Sequence, residues 1–344
     1  MLLIPRSLVA RLFQSVYCCC RDYSNATTPI TEYPKCIKEL EAMPDRVLSY
    51  GAELEADHPG FTDKAYRVRR DQISKLAKQY RFGMEFPRVV YNRVERDTWK
   101  AVYNELTRLY PLHACEEYLA VFSKLQQEAG YSADNIPQLS DISYFLNKET
   151  GFTLRPTSGL LSPRGFLNSL AFRVFNSTQY LRHHSKPLYT PEPDLIHECL
   201  GHVPLLANKD FADFSYEIGK RSLRCNEEEL TRLGAIYWYT IEFGLLEDKH
   251  NSRFRAYGAG LLSSPEELGH SMSSAAKRLP FKASIVANTP CSITHFQNSY
   301  YHGTSLKATK EDVLRYLDET VTKHDTDLVW DREREAFVEV KRVE

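Results

Sequence analysis

The 344-residue sequence has almost no net charge and no long apolar run. Its 44 basic and 45 acidic residues give a formal charge of −1, so no strong field would attract nucleic acid or an acidic membrane. No apolar stretch approaches the ~18–20 residues that a transmembrane helix needs. With 42% hydrophobic residues, the chain can still bury a large core. We expect a soluble protein that acts on a small molecule, with no nucleic-acid and no membrane partner.

Paired spacing is absent among the eight cysteines. Cys18, Cys19 and Cys20 are contiguous, and the others are scattered along the chain. A disulfide framework or a structural zinc motif would show regularly spaced pairs. The cysteine pattern therefore favours a reducing compartment.

Acidic residues are absent from the N-terminal segment up to Arg21, which contains three arginines. On a helix its apolar side chains would share one face, a composition typical of an organellar import peptide. A secretory signal fits less well because Arg11 interrupts the apolar run. We predict an N-terminal extension over residues 1–32 that acts as a transit peptide, with the mitochondrial matrix as the preferred destination. An untargeted segment on a cytoplasmic protein is the alternative.

From about Tyr33 onward, helical periodicity dominates and strand signals are few and short. Residues 62–83 form an amphipathic pattern that ends in glycine, and residues 96–131 predict two helices broken near Pro111. Internal repeats and low-complexity linkers are absent. We predict a single, mainly α-helical catalytic domain over residues 33–323, with few short strands.

The C-terminal segment, residues 324–344, follows a strand pattern instead. Leu328 and Trp330, and then Val338 and Val340, occupy alternate positions on either side of a charged turn, which predicts a β-hairpin. An isolated hairpin is marginally stable in water, so it should pack against the body or a second subunit. We favour a dimerisation arm, with a frayed tail as the alternative.

The run His-Glu-Cys-Leu-Gly-His places His197 and His202 five residues apart. Zinc proteases space their two histidines by four, which leaves both on one helix face. A step of five rotates the second residue by about 140° in an α-helix. Gly201 and Pro204 disfavour ideal helix geometry here. A π-type turn or a helix exit would therefore bring the two imidazoles together.

Glu242 is the only charged residue in the twelve-residue stretch AIYWYTIEFGLL. An unpaired carboxylate in such a helix costs several kcal/mol or becomes protonated, and a bound cation would remove that cost. Two histidines and one carboxylate, with open positions opposite, form the site of non-haem Fe(II) oxygenases. A zinc hydrolase is the nearest competitor, and a hydrogen-bonded core histidine with a paired glutamate is the alternative without a metal.

A series of motifs between about Leu40 and Gln297 resembles the tetrahydrobiopterin-dependent aromatic amino acid hydroxylases. They include, in order, LSYGAELEADHPGF, DNIPQL, TGFTLRP, LAFRVF, TQYLRH, YTPEPD, GHVPLL, IEFGL and AYGAGLLSS. The family's histidine motif also has the five-residue step. The resemblance implies a mostly helical catalytic domain in which Fe(II) is held by His197, His202 and Glu242. It also implies a reduced pterin as the source of the two electrons that O₂ requires beyond those of the substrate C–H bond.

The resemblance further assigns contacts to the cofactor and the substrate. Phe166 would offer a stacking face to the pterin, Arg182 would hold the substrate carboxylate in bidentate fashion, and Pro193 and Trp238 would enclose the ring. Without the family match, Phe166 and Trp238 would be interpreted as core aromatics and Arg182 as an ion-pair residue. The implied pterin contacts are Gly159, Leu160, Leu161, Ser162, Phe166, Glu198 and Tyr237. The implied substrate contacts are Arg182, Thr190, Pro193, Asp194, Trp238, Ser263 and Ile293, and the residues implied beside the reacting groups are Glu198, Tyr237 and Trp238.

Several positions depart from the family pattern. Asn176 stands where a histidine normally lies near the pterin, so a reduced folate is an alternative electron donor. Cys199 replaces a leucine in the metal motif, which we interpret as a packing change. The sequence before residue 33 has no room for the regulatory domain of animal members, and their tetramer helix is absent after the hairpin. We therefore expect a constitutively active homodimer.

Pocket positions indicate which amino acid is hydroxylated. Tryptophan hydroxylases carry a phenylalanine in place of Trp238 and a tyrosine in place of Leu160, and tyrosine hydroxylases carry an aspartate in the loop that contains Ile293. The pattern is closest to phenylalanine hydroxylase, so we predict conversion of L-phenylalanine to L-tyrosine. One pocket residue shifts such preferences by only ~1–3 kcal/mol, which leaves tyrosine or tryptophan hydroxylation open. A zinc hydrolase and a catalytically inactive amino-acid-binding regulator are the alternatives of other classes.

Overall fold

Helices make up most of the secondary structure. The computed structural model describes residues 32–43, 59–190, 192–248, 253–292 and 295–342. The α-helices, in chain order, are α1 (Ile37–Ala42), α2 (Pro59–Thr62), α3 (Lys64–Gln79), α4 (Arg93–His113), α5 (Glu116–Glu128), α6 (Leu139–Thr150), α7 (Pro163–Leu170), α8 (Val203–Leu206), α9 (Lys209–Ser222), α10 (Glu227–Tyr237), α11 (Ala259–Leu262), α12 (Pro265–Met272), α13 (Ala283–Val286) and α14 (Leu306–Thr320). The predicted mainly α fold is confirmed.

Short strands and two π-helical turns complete the architecture. The π turns are π1 (His197–His202) and π2 (Trp238–Glu242). The strands are β1 (Thr153–Pro156), β2 (Val174–Ser177), β3 (Leu245–Asp248), β4 (Arg253–Ala256), β5 (Arg278–Pro280), β6 (Tyr300–Gly303), β7 (Thr326–Asp331) and β8 (Ala336–Lys341). Strands β1 and β2 pair in parallel, and the order β4-β3-β6-β5 forms a mixed sheet in which only β3 and β4 are antiparallel.

Local sequence signals explain where the long helices begin and end. Helix α3 starts at the predicted site because the Asp63 carboxylate accepts from the backbone of Ala65 and Tyr66. Helix α4 begins with a capping box between Asn92 and Glu95. The predicted break near Pro111 falls slightly later. Helix α4 runs through the proline to His113 before α5 begins at Glu116.

Two buried tyrosines, one in α5 and one just after it, support the segment that carries the two predicted histidine ligands. The hydroxyl of Tyr118 donates to the carbonyl of Leu200 at 2.6 Å, and that of Tyr131 donates to the carbonyl of Cys199 at 3.1 Å. Both carbonyls belong to π1, where widened geometry disturbs the regular ladder. These bonds satisfy buried acceptors and hold the turn in position.

The C-terminal hairpin packs on the body of its own chain. Leu328 and Phe337 point inward and are buried against Phe172, whose ring lies 5.4 Å from that of Phe337. The backbone N–H of Phe337 also donates to the carbonyl of Lys35. The hairpin itself is confirmed. The inward residue of β8 is Phe337, whereas the side chain of Val340 is 47% exposed on the opposite face.

Several predictions fall on segments that the structure does not describe. The proposed extension over residues 1–32, apart from Glu32, lies outside the described residues, as do most of the motif at residues 48–61 and the pocket position Ile293. Within the described part of the chain, no helix has both the length and the apolar character needed to cross a membrane.

Candidate functional site

His197, His202 and Glu242 meet although Glu242 is distant from the histidines in the sequence. The two Nε2 atoms are 2.9 Å apart, and the Glu242 oxygens lie 3.1 Å from Nε2 of His202 and 3.5 Å from Nε2 of His197. Imidazole nitrogens and carboxylate oxygens bind metals at ~2.0–2.2 Å, so donors at these separations can share one ion. The same donor set suits Fe(II) with open positions.

The π1 turn explains how histidines five residues apart share an ion. In π1 the N–H of Val203 bonds to the carbonyl of Glu198, a five-residue step that places such positions on one face. Gly201 permits the close approach of α11, because an added Cβ would lie 2.6 Å from the carbonyl oxygen of Ala259. The predicted π-type turn is therefore confirmed.

A second π turn directs Glu242 toward the histidines. Its five-residue bond runs from the N–H of Phe243 to the carbonyl of Trp238 at 2.9 Å. Gly258 packs against this turn, where an added Cβ would lie 2.4 Å from the carbonyl oxygen of Glu242. The apolar pattern of this segment predicted burial but contained no signal for a π turn.

Ser263 sets the tautomer of His197. Its hydroxyl donates its single proton to the carbonyl of Ala259 at 2.7 Å, and it lies 3.0 Å from Nδ1 of His197. The hydroxyl must therefore accept from an Nδ1–H group, which leaves the Nε2 lone pair free for a metal. Ser263, predicted as a substrate contact, thus has a second role beside the metal site.

Burial and mutual contact favour the metal-binding forms of His197 and Glu242. Burial lowers the pKa of His197 to about 4, which keeps the imidazole neutral. Burial alone would raise the pKa of Glu242, but His202 and His197 outweigh it and the pKa is lowered. A neutral imidazole and an ionised carboxylate are the forms that bind a cation.

His197, His202 and Glu242 line a cavity of about 970 Å³, a volume that includes its mouth. Most of the predicted contacts line it together with the candidate metal ligands. Those contacts are Gly159, Leu160, Leu161, Phe166, Arg182, Thr190, Pro193, Glu198, Trp238 and Ser263.

Three predicted contacts lie behind the cavity wall. Ser162 caps α7 by accepting from the backbone N–H of Gly165. Tyr237 packs edge-on against Phe166, with ring centroids 5.4 Å apart. Asp194 is 1% exposed and binds Arg182. None of these three residues lines the cavity in this structure. Ser162 caps a helix, and Tyr237 and Asp194 contact residues that do line it.

Arg182 uses its bidentate fork on Asp194. Nε and Nη2 donate to the two carboxylate oxygens at 3.0 and 2.8 Å, and Nη1 donates to the carbonyls of Pro187 and Ser263. Burial opposes ionisation of Asp194, but Arg182 outweighs it and the pKa of Asp194 is lowered. Among bonds within the described residues, one Nη2 proton remains for a substrate carboxylate. Bidentate capture of substrate stays a prediction, and it would require Arg182 to leave Asp194.

Glu198 and Asn176 supply polar groups to the wall near Phe166. Burial raises the pKa of Glu198 well above its ordinary value, and Glu242 adds to the shift. The Nδ2 group of Asn176 donates to Ser169 at 2.7 Å. Its buried Oδ1 has no hydrogen-bond partner among the described residues. Asn176 lines the cavity, so a donor group of a bound ligand could satisfy this acceptor.

Several residues that line the cavity were not predicted from the sequence, among them Gln297 and Glu267. Gln297 accepts the indole N–H of Trp238 at 2.9 Å and so fixes that ring. Glu267 is 3% exposed and also forms part of the wall. The pair Glu266–Glu267 looks like an ordinary acidic helix start, so no local pattern distinguished the buried member.

Removing the carboxylate of the triad should abolish tight metal binding. Glu242→Ala should weaken Fe(II) affinity by more than about 100-fold, because losing an outer-shell partner alone costs roughly 10- to 100-fold. Iron content after anaerobic reconstitution and desalting measures the effect. Glu228→Ala, on the exposed side of α10, is the matched control and should retain iron. Equal iron content in the two variants would exclude Glu242 as a ligand.

Comparison with known proteins agrees with this geometry. The sequence profile of the biopterin-dependent aromatic amino acid hydroxylases matches residues 31–340. Phenylalanine-4-hydroxylase of Dictyostelium discoideum is 50% identical over 286 residues, which cover 83% of this chain and 64% of that protein. Tryptophan 5-hydroxylase of Xenopus laevis is 49% identical over 284 residues, covering 83% and 59%. This chain therefore spans less than two thirds of the length of either relative.

A solved structure shows the same similarity in three dimensions. Phenylalanine hydroxylase of Chromobacterium violaceum, with bound iron(III) and 7,8-dihydrobiopterin, superimposes with a TM-score of 0.61 at 33% identity. The match covers 66% of this chain and 81% of that one. With the motifs, the convergent triad and the profile match in agreement, the chain belongs to the biopterin-dependent aromatic amino acid hydroxylase family.

Proposed function

We propose that this protein is a pterin-dependent monooxygenase that hydroxylates the ring of an aromatic amino acid, with L-phenylalanine as substrate and L-tyrosine as product. The observation that carries the proposal is the buried triad of His197, His202 and Glu242 at a cavity that also contains Arg182. One wall can bind a metal, and another can bind the carboxylate of an amino acid. Relatives at about half identity include phenylalanine-4-hydroxylases.

The residues present fit a ferrous ion and a reduced pterin. His197, His202 and Glu242 would hold Fe(II), which together with the reduced pterin supplies the activation of O₂. A pterin edge presents both donors and acceptors. The carboxyl group of Glu198 and the Oδ1 of Asn176, which has no partner among the described residues, belong to lining residues that can pair with such an edge. A reduced folate carries the same ring system, so it remains the alternative cosubstrate.

The aromatic walls determine how the substrate ring is held. Trp238 is fixed by its bond to Gln297 and packs against Phe243, with ring centroids 4.9 Å apart. Pro193 lines the same cavity. A rigid wall of this kind orients a benzene ring and limits the space for an indole. Leu160 adds an aliphatic side chain to the lining of the same cavity.

Reconstitution tests the activity and the cosubstrate together. Protein loaded anaerobically with Fe(II) should form tyrosine from phenylalanine when O₂ and tetrahydrobiopterin are added. Parallel reactions contain tetrahydrofolate or no reductant, and a Zn(II)-loaded sample serves as the metal control. Product that appears without either reductant would reject the pterin-dependent reaction.

Trp238→Phe should raise turnover of tryptophan relative to phenylalanine by roughly 10-fold, the scale of a single pocket change.

We propose that the protein forms a homodimer through the outer face of the β7–β8 hairpin. The inner face is buried against the body, whereas Val329 and Val340 are 46% and 47% exposed on the outer face. Register places Val329 opposite Val338, so these valines form one apolar surface. A second copy of the hairpin could cover that surface.

Sedimentation measures this association. Val329→Asp with Val340→Asp should convert a two-chain species to single chains, because each change places a charge in the interface. Ile285→Asp introduces the same charge at another exposed position and should leave the assembly intact. If both proteins sediment alike, the hairpin face is not the interface.

We infer that residues 1–32 direct import into the mitochondrial matrix. The support is compositional: arginines without acidic residues before Asp22, and an apolar helical face. Residues 1–30 fused to a fluorescent reporter should localise to mitochondria. A fusion with Arg6, Arg11 and Arg21 changed to glutamate should remain in the cytosol. Diffuse cytosolic signal from the unmodified fusion would exclude import.

A further inference from the structure

Glu267 is a buried carboxylate in the cavity wall, outside the metal triad. It lies in the first turn of α12, is 3% exposed, and lines the cavity that contains Arg182. Its Oε1 accepts from the backbone N–H of Gln297 and from the hydroxyl of Tyr300, both at 3.1 Å. Both donors are neutral, so the charge of Glu267 is hydrogen-bonded but not balanced.

No cation balances Glu267 among the described residues. Ion pairs in this part of the chain involve Arg182 and Asp194, or Arg70 and Glu192, and none includes Glu267. Burial raises the pKa of Glu267 to about 7, and only the bonds from Gln297 and Tyr300 oppose that shift. A buried carboxylate without a counterion is costly, and it becomes favourable when a ligand supplies the missing positive charge.

Arg182 and Glu267 flank two consecutive residues of the same wall. Nη1 of Arg182 donates to the carbonyl of Ser263 at 3.1 Å, and the hydroxyl of Ser264 accepts from the backbone N–H of Glu267 at 3.3 Å. Arg182 and Glu267 both line the cavity, so its wall contains one positive and one negative side chain. An α-amino acid at neutral pH presents the complementary arrangement, a carboxylate and an ammonium on one carbon.

We propose that Glu267 binds the α-ammonium group of the amino-acid substrate, as the anionic counterpart of Arg182. The inference rests on the proposed function, because it concerns the substrate of that same cavity. Glu267 is then a specificity-determining residue that distinguishes an amino acid from a simple aromatic acid. Its carboxylate also holds Gln297, which fixes Trp238, so the ammonium end and the ring wall are linked.

A substitution that removes the charge but keeps the acceptor separates binding from a purely structural role. Glu267→Gln retains a side-chain oxygen for Gln297 and Tyr300, so the wall should remain assembled. Glu266→Gln is the matched control, since the neighbouring residue is exposed on the same helix. Thermal unfolding of both variants shows whether either substitution disturbs the fold.

Calorimetry on the Fe(II)-loaded protein without O₂ compares two ligands. L-Phenylalanine carries the ammonium group, and 3-phenylpropionate lacks it. Glu267→Gln should weaken phenylalanine binding by roughly 10- to 100-fold, the effect of one charge-assisted contact. Binding of 3-phenylpropionate should be unchanged or tighter, because repulsion between two carboxylates is removed. Glu266→Gln should alter neither.

Three outcomes would overturn the inference: equal weakening of both ligands by Glu267→Gln, no effect on either, or no binding of phenylalanine by the unmodified protein. Turnover of the unmodified protein separates this inference from the proposed function. If the unmodified protein forms tyrosine but Glu267→Gln weakens the binding of both ligands equally, only the role of Glu267 is rejected. If Glu267→Gln weakens only the binding of phenylalanine and the unmodified protein forms no hydroxylated product, the monooxygenase function is rejected. The recognition of an amino acid by Glu267 is then retained.

Discussion

Two π-helical turns are the constraint on which the site depends. An α-helix would direct His197 and His202 apart, and the i→i+5 geometry of π1 brings their Nε2 atoms within 2.9 Å. The second turn directs Glu242 to the same point. Such turns interrupt the regular backbone hydrogen bonds of a helix, so neighbouring groups must satisfy the carbonyls that are left without a partner. Buried hydroxyls of Tyr118 and Tyr131 do so for π1.

Electrostatic compensation organises the rest of the cavity. Asp194 connects its two ends, since the same carboxylate binds Arg182 and accepts from the backbone N–H of His197 at 3.0 Å. Burial and the neighbouring Glu242 raise the pKa of Glu198 well above its ordinary value, which disfavours a second negative charge beside the triad. In a low-dielectric interior these arrangements act strongly because little solvent screens them. Arg182 and the candidate metal ligand His197 thus belong to one buried network through Asp194.

The fold was largely predictable because burial leaves a periodic trace in the sequence. The pattern at residues 62–83 predicted helix α3, and the aspartate that caps it is a local signal. The hairpin was predicted from alternation, but its inward residue on β8 was not, because Phe337 and Val338 are both apolar and alternation alone cannot choose between adjacent positions. Packing against Phe172 makes that choice.

By itself, the sequence identified the candidate metal ligands, because a five-residue histidine step and one carboxylate in an apolar helix are local features. The family motifs added the surrounding contacts. Only the tertiary structure decided how charges are shared. The Arg182 fork binds Asp194, and Glu267 is buried without a cation from the part of the chain that the structure describes. Periodicity in the sequence indicates whether a residue is buried. The partner of a buried charge comes from a distant part of the chain, and the local sequence does not indicate which residue that partner is.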